Sequence, residues 1–164
     1  MTGHLAAADA FWRFSLMAYS RPGVADLLIR LQDRGGRNVN LILFALWLGI
    51  CAGVSLDADA LARAKTAMAK IDRDIVTPLR QLRRALKDDP DPDLRDLRRR
   101  VLSLEIAAER RVQARLAAIV ARRRDAESGD RQAIAEANLR LVLGADLAPQ
   151  DAALLRRATP LIES

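Results

Sequence analysis

Apolar residues recur every three or four positions along nearly the whole chain, and that spacing predicts helices from end to end. A first helix is expected from Leu5 to Ser20, with Ala8, Phe11, Trp12, Ser15, Leu16 and Tyr19 on its apolar face. It stops at Ser20-Arg21-Pro22, where Ser20 is placed to cap the next helix and Pro22 to sit in its first turn. The second helix carries Val24, Leu27, Leu28 and Leu31 and ends at Gly35-Gly36, where glycine tolerates a left-handed cap. Asn38 then caps a third helix running to Val54. No stretch alternates apolar and polar residues with β-branched enrichment, and no hairpin dipeptide is present, so no sheet is expected.

Beyond Asp57 the pattern narrows. Leu61, Ala64, Met68, Ile71, Ile75, Leu79, Leu82 and Leu86 form a thin stripe on one long helix, charged on its other faces. Pro78 lies inside it and removes a backbone hydrogen bond, which predicts a kink near Asp74 to Thr77, or a break there. The run from Asp88 to Asp93 is a turn, with Asp91 as N-cap and Pro92 in the first helical position. A second long helix is expected from there to about Glu127, with Leu94, Leu97, Val101, Leu104, Ala108, Val112, Leu116 and Ile119 as its stripe. So short a turn between two long helices predicts an antiparallel αα-hairpin. Short helices are expected over Asp130–Leu143 and about Pro149–Ala158. The fold class that follows is all-α, a bundle of five to six helices forming one domain over 1–164. Its parts are an apolar three-helix half (1–56), a charged hairpin (57–127) and short C-terminal helices (128–164).

One segment resembles a membrane span. Asn38 to Leu56 holds no charge, and that length approaches the ~20 residues a bilayer crossing needs. Its uniformly apolar part, Leu41 to Val54, is shorter, which fits a buried central helix better. Cys51 lies in it and is expected to be an inert, buried thiol. The first residues hold no basic cluster ahead of an apolar run, so a cytoplasmic protein without a membrane span is expected.

Composition narrows the chemistry. One Cys and one His exclude a disulfide framework and a Cys/His zinc site, and no metal or cofactor is expected. No phosphate-loop, dinucleotide, zinc-protease or nucleophile-elbow motif occurs. His4 has nothing near it in sequence to orient it as a base. Glu105 and Glu109 share a helical face, and arginines of the facing helix, Arg80 or Arg84, are the expected neutralisers. No catalytic residue is expected.

The net charge is +6, and 24 of the 27 basic residues are arginine. Residues 57–127 carry 18 basic and 13 acidic side chains, so the excess lies on the hairpin. A candidate basic surface comprises Arg80, Arg84, Arg98, Arg99, Arg111 and Arg115, with a further run at Arg122-Arg123-Arg124. Such a surface would suit nucleic acid. The interspersed acids weaken that reading, and so does the lack of any aromatic after Trp47 to stack a base.

A polar set in the apolar half is the other candidate. Trp12, Tyr19, Arg21, Gln32, Asp33, Asn38, Asn40 and Trp47 gather around the first two helix boundaries. They either cap helix ends or line a small polar pocket.

These residues also carry a resemblance. Phe11-Trp12-Arg13-Phe14, Tyr19-Ser20-Arg21-Pro22-Gly23-Val24, Leu31-Gln32-Asp33, Asn38-Val39-Asn40 through Phe44, and Leu46-Trp47-Leu48-Gly49 resemble a proteobacterial family of short helical proteins of unknown function, over residues 11–53. Val76 to Arg80 and Leu82 to Lys87 also look like that family, more weakly. The resemblance implies an uncharacterised cytoplasmic helical protein and carries over no catalytic residue. Three functions follow as expectations: a non-enzymatic protein-interaction module or homo-oligomer, a nucleic-acid or ribosome-associated protein, or a small-ligand pocket at Trp12, Tyr19, Asp33 and Asn40.

Overall fold

The most apolar stretch of the chain forms the axis around which the rest packs. The structure, a computed structural model, describes residues 2–120, 129–144 and 148–157. In it α3 (Val39–Trp47) is buried along its whole length. Asn38 caps it as the sequence predicts, its Oδ1 accepting from Leu41 N at 3.3 Å. α1 (Thr2–Ser20) and α2 (Val24–Gly35) lie on α3, and Phe11 stacks on Trp47 at 5.1 Å between ring centroids, with Phe44 stacked on Trp47 and tilted against Phe11. Gly36 ends α2 in the left-handed conformation at φ 59°, its N–H donating to Leu31 O.

The remaining elements are α4 (Ala58–Ile71), α5 (Thr77–Ala85), α6 (Pro92–Val120), α7 (Arg131–Leu143) and α8 (Pro149–Arg157). α4 and α5 are one continuous rod, so the described residues form about seven helical rods rather than five or six. No strand occurs among them, and none of the described helices is long and apolar enough to cross a membrane. The Arg122-Arg123-Arg124 run and the His4 side chain lie outside the described residues.

Two π-helical turns alter the register that the spacing implies. The first, Leu48–Ala52, extends α3 and closes at Gly53, whose N–H donates to Leu48 O. Cys51 on this turn is exposed, not buried as expected. The second, Asp72–Val76, joins α4 to α5, with Thr77 N–H donating to Asp72 O. Pro78 therefore does not break the helix: the wider turn directly ahead of it absorbs its missing donor.

The second turn also adds a residue to the helical count, and one residue turns everything after it by about 100°. Leu61, Ala64 and Met68 are buried as predicted, but Val76 is then buried in place of Ile75. Ile75 and Leu82 are left 46% and 45% exposed. Arg80 and Arg83, spaced four and seven residues after Val76, face inward instead. On α6 the counterpart is Glu105, which is buried while Leu104, assigned to the stripe, is exposed. Leu97 is exposed as well.

On α1 the core face is Phe11, Phe14, Ser15 and Ala18. Leu16 and Tyr19 are exposed rather than buried. Ser20 does not cap α2; its hydroxyl donates back to Met17 O, and Gly23 at φ 79° precedes α2.

Candidate functional site

Where α1, α2, α3, α5 and α6 meet, a cleft of about 360 Å³ opens. Its mouth is apolar: Leu16, Tyr19, Ile29, Leu102 and Ile106 line it, and each is at least 38% exposed. Its floor is polar and buried. Ser15, Asn40, Glu105 and Gln113 line it with 4% exposure or less.

The floor residues bond to one another. Ser15 Oγ lies 3.0 Å from Phe11 O and 3.1 Å from Gln113 Oε1, and Gln113 Nε2 donates to Asn40 Oδ1 at 3.0 Å. The Asn40 Nδ2 finds no acceptor among the described residues.

The wall is a four-residue charge network. Arg80 donates from Nε to Glu105 Oε1 at 3.0 Å and from Nη2 to Glu109 Oε1 at 2.7 Å. Arg83 donates from Nε to Glu105 Oε2 at 2.5 Å and from Nη2 to Oε1 at 3.3 Å. Glu105 thus accepts three bonds, and Glu109 accepts one. The bond to Glu105 raises the pKa of the Arg83 guanidinium above its ordinary value. Glu109 is pushed up chiefly by burial, against the pull of Arg80 and helped by the charge of Glu105. Arg80 was one expected neutraliser of this pair. The other is Arg83 and not Arg84, because the π turn rotates Arg83 inward.

Tyr19 stands at the mouth with 40% of its surface exposed, yet the surroundings of its hydroxyl hold its pKa at about 12. Burial is the main cause, followed by the Glu109 charge, with Arg80 opposing. Tyr19 is the sole tyrosine, so its titration is readable by phenolate absorbance. In the folded protein the phenolate is expected to appear near pH 12 rather than at the usual 10. A raised folded value means that the associated stability is complete below pH 10 and is lost as pH rises towards about 12. Glu109→Gln should lower the midpoint part of the way, because burial remains. An unchanged midpoint in that variant would show that Glu109 does not act on the phenol.

The rest of the predicted polar set scatters. Trp12, Tyr19, Gln32 and Asn40 line the cleft. Trp47 is in the aromatic core. Asn38 caps α3 and donates from Nδ2 to Asp72 Oδ1 at 3.0 Å. Asp33 pairs with Arg84 at the surface, and Arg21 is exposed beside the α1–α2 turn. Of the predicted basic surface, Arg80 belongs to the cleft wall and Arg84 to the pair with Asp33. Arg99 pairs with Asp96 on its own helix. Arg98 is half-buried, with its Nε lacking a partner in the structure. Arg111 and Arg115 flank a separate shallow groove with Lys70, Asp74, Ile71 and Ile75. Arg83 and Gln113 were missed by sequence reasoning. Gln113 carries a weak signal, four residues after Glu109 on the same helical face.

No group of three His, Cys, Asp or Glu side chains that could hold a metal ion occurs among the described residues. Over the described residues the molecule is thus an all-helical bundle that carries a cleft with a polar floor. The chain belongs to the family described as "Protein of unknown function (DUF2390)", whose pattern matches residues 10–116. That match extends well past residues 11–53, contains every residue lining the cleft, and does not bear on a proteobacterial restriction. Comparison with curated proteins and with solved structures returns no match.

Proposed function

We propose that this protein is a non-enzymatic, cytoplasmic interaction module that engages a partner protein through the cleft. The carrying observation is that Leu16, Tyr19, Ile29, Leu102 and Ile106 gather, exposed, around one mouth above a buried polar floor. An apolar rim with a few convergent polar groups is the usual make-up of a binding site. In this reading the rod from α4 to α5 and α6 act as one antiparallel hairpin, supplying one wall, and α1 and α2 supply the other.

A nucleic-acid role has less support. Arg80, Arg83, Arg84, Arg99, Arg100 and Arg110 are each held by a carboxylate of this chain, which reduces their reach for phosphates.

A fragment library of mixed charge, screened by protein NMR, tests the binding reading. Hits are expected to converge on the Trp12 indole and on the Asn40 and Gln113 side-chain amides. Hits that cluster elsewhere, or none at all, would overturn it.

A further inference from the structure

Resting on the cleft as the binding surface, we infer that its occupant is a lysine side chain of a partner protein, ammonium against Glu109 and aliphatic stem along the apolar mouth. The charge network leaves one carboxylate oxygen unused. Glu105 is saturated by Arg80 and Arg83. Glu109 spends only Oε1, on Arg80, and its Oε2 takes no donor among the described residues. It is the less-bonded of the two carboxylates, with one donor bond against the three on Glu105. A cation entering here completes the network, whereas an anion would meet the open carboxylate.

The geometry of the vacancy separates the two biological cations. A guanidinium binds a carboxylate best as a fork on both oxygens, and Arg80 already holds one of them. An ammonium is a compact charge with three radiating donors and needs only the free oxygen. The Tyr19 hydroxyl and the Gln32 amide line the same cleft and are further acceptors for it. The stem would then lie on Leu16, Ile29, Leu102 and Ile106, as lysine stems do on apolar surfaces. Trp12, whose ring carries Arg110 at 5.8 Å, stays in the wall and is not required as a cation platform.

The test titrates the intact protein, followed by NMR, with n-hexylamine, n-hexanol and hexanoate, and then with a short lysine peptide and its acetyl-lysine twin. Hexylamine is expected to bind at least about tenfold tighter than the other two, as a charge-assisted hydrogen bond allows. In Glu109→Gln that preference should vanish while the apolar part of the binding persists. The lysine peptide should displace hexylamine, and the acetylated one should not. Equal binding of hexanol or hexanoate, or an unchanged preference in Glu109→Gln, would overturn the inference. So would hexylamine binding that the lysine peptide fails to displace. Fragments of another class filling the cleft while hexylamine does not would sink this inference and leave the binding reading standing. If nothing enters the cleft, both fall.

Discussion

Replacing Glu105 with alanine is expected to cost the fold about 3 kcal/mol, at the lower end of the range for removing one partner of a buried ion pair. Glu105 is 4% exposed and takes three donor bonds from Arg80 and Arg83. Without it, two guanidinium groups stay packed against apolar neighbours, and only Glu109 is left to one of them. The side chains of Arg80 and Arg83 keep 14% and 23% exposure, so some rehydration is open to them and the upper end of the range is not expected. Glu105→Gln should cost less, because an amide oxygen still accepts one bond. Glu109→Gln should cost least, since its carboxylate makes one bond and is itself held at a disadvantage by burial. Urea unfolding of the three variants checks the order. Equal costs for Glu105→Ala and Glu109→Gln would show that the network has no preferred centre.

Gly49→Ala is expected to destabilise by a similar amount, for an unrelated reason. A Cβ at Gly49 would lie 2.3 Å from both the Cα and the N of Ala135. These are backbone atoms, so α7 as a whole must move away. Moving it strains the Asn138 clasp, in which Nδ2 donates to Val54 O at 2.9 Å and Oδ1 accepts from Leu56 N at 2.7 Å. Overpacking of this kind costs about 3 kcal/mol at the severe end. That corresponds to a fall in melting temperature on the order of 10 °C for a chain of this size. Ala135→Gly should not rescue the variant, because the obstructing Cα and N remain. Gly36→Ala is the contrasting control. Nothing lies within 4 Å of its added Cβ, and only its φ of +59° opposes the change, at about 1 kcal/mol. A Gly49→Ala protein that melts like the wild type would show that α7 does not pack as closely on the π turn as described.

Helix content and most helix ends were legible in the sequence because they depend on local chemistry. Asn38 as a cap, Gly36 as a stop, and Asp91 accepting from Asp93 N at 2.8 Å all act within a few residues. The identity of the buried face was legible only where the helix is regular. It held from Leu61 to Met68 and failed at Ile75, because an apolar stripe carries no mark of where a wider turn will fall. The Glu105–Glu109 pair could be seen as needing a cation, yet naming Arg83 required that turn. The cleft was half legible. Trp12, Tyr19, Gln32 and Asn40 were grouped by their place in the sequence, whereas Asp33, Asn38 and Trp47, grouped with them, serve the surface, a cap and the core. The apolar mouth could not be foreseen, because Leu16 follows the same period as core residues and differs from them only in what lies opposite, while Ile106 falls off the expected stripe.

The turn at Asp72–Val76 has a bearing on how sequences of this family should be compared. Percentage identity treats every position alike, but here one position sets the phase of all that follow it in the rod. A relative that lacks a single residue in this stretch would exchange the wider turn for an α turn and keep every later side chain, Arg80 and Arg83 included, on its present face. A relative of the same length with a regular α turn there would instead bring Ile75 and Leu82 towards the cleft and turn the two arginines to water. A one-residue gap between residues 72 and 76 therefore marks loss of the wider turn and not loss of the charged wall.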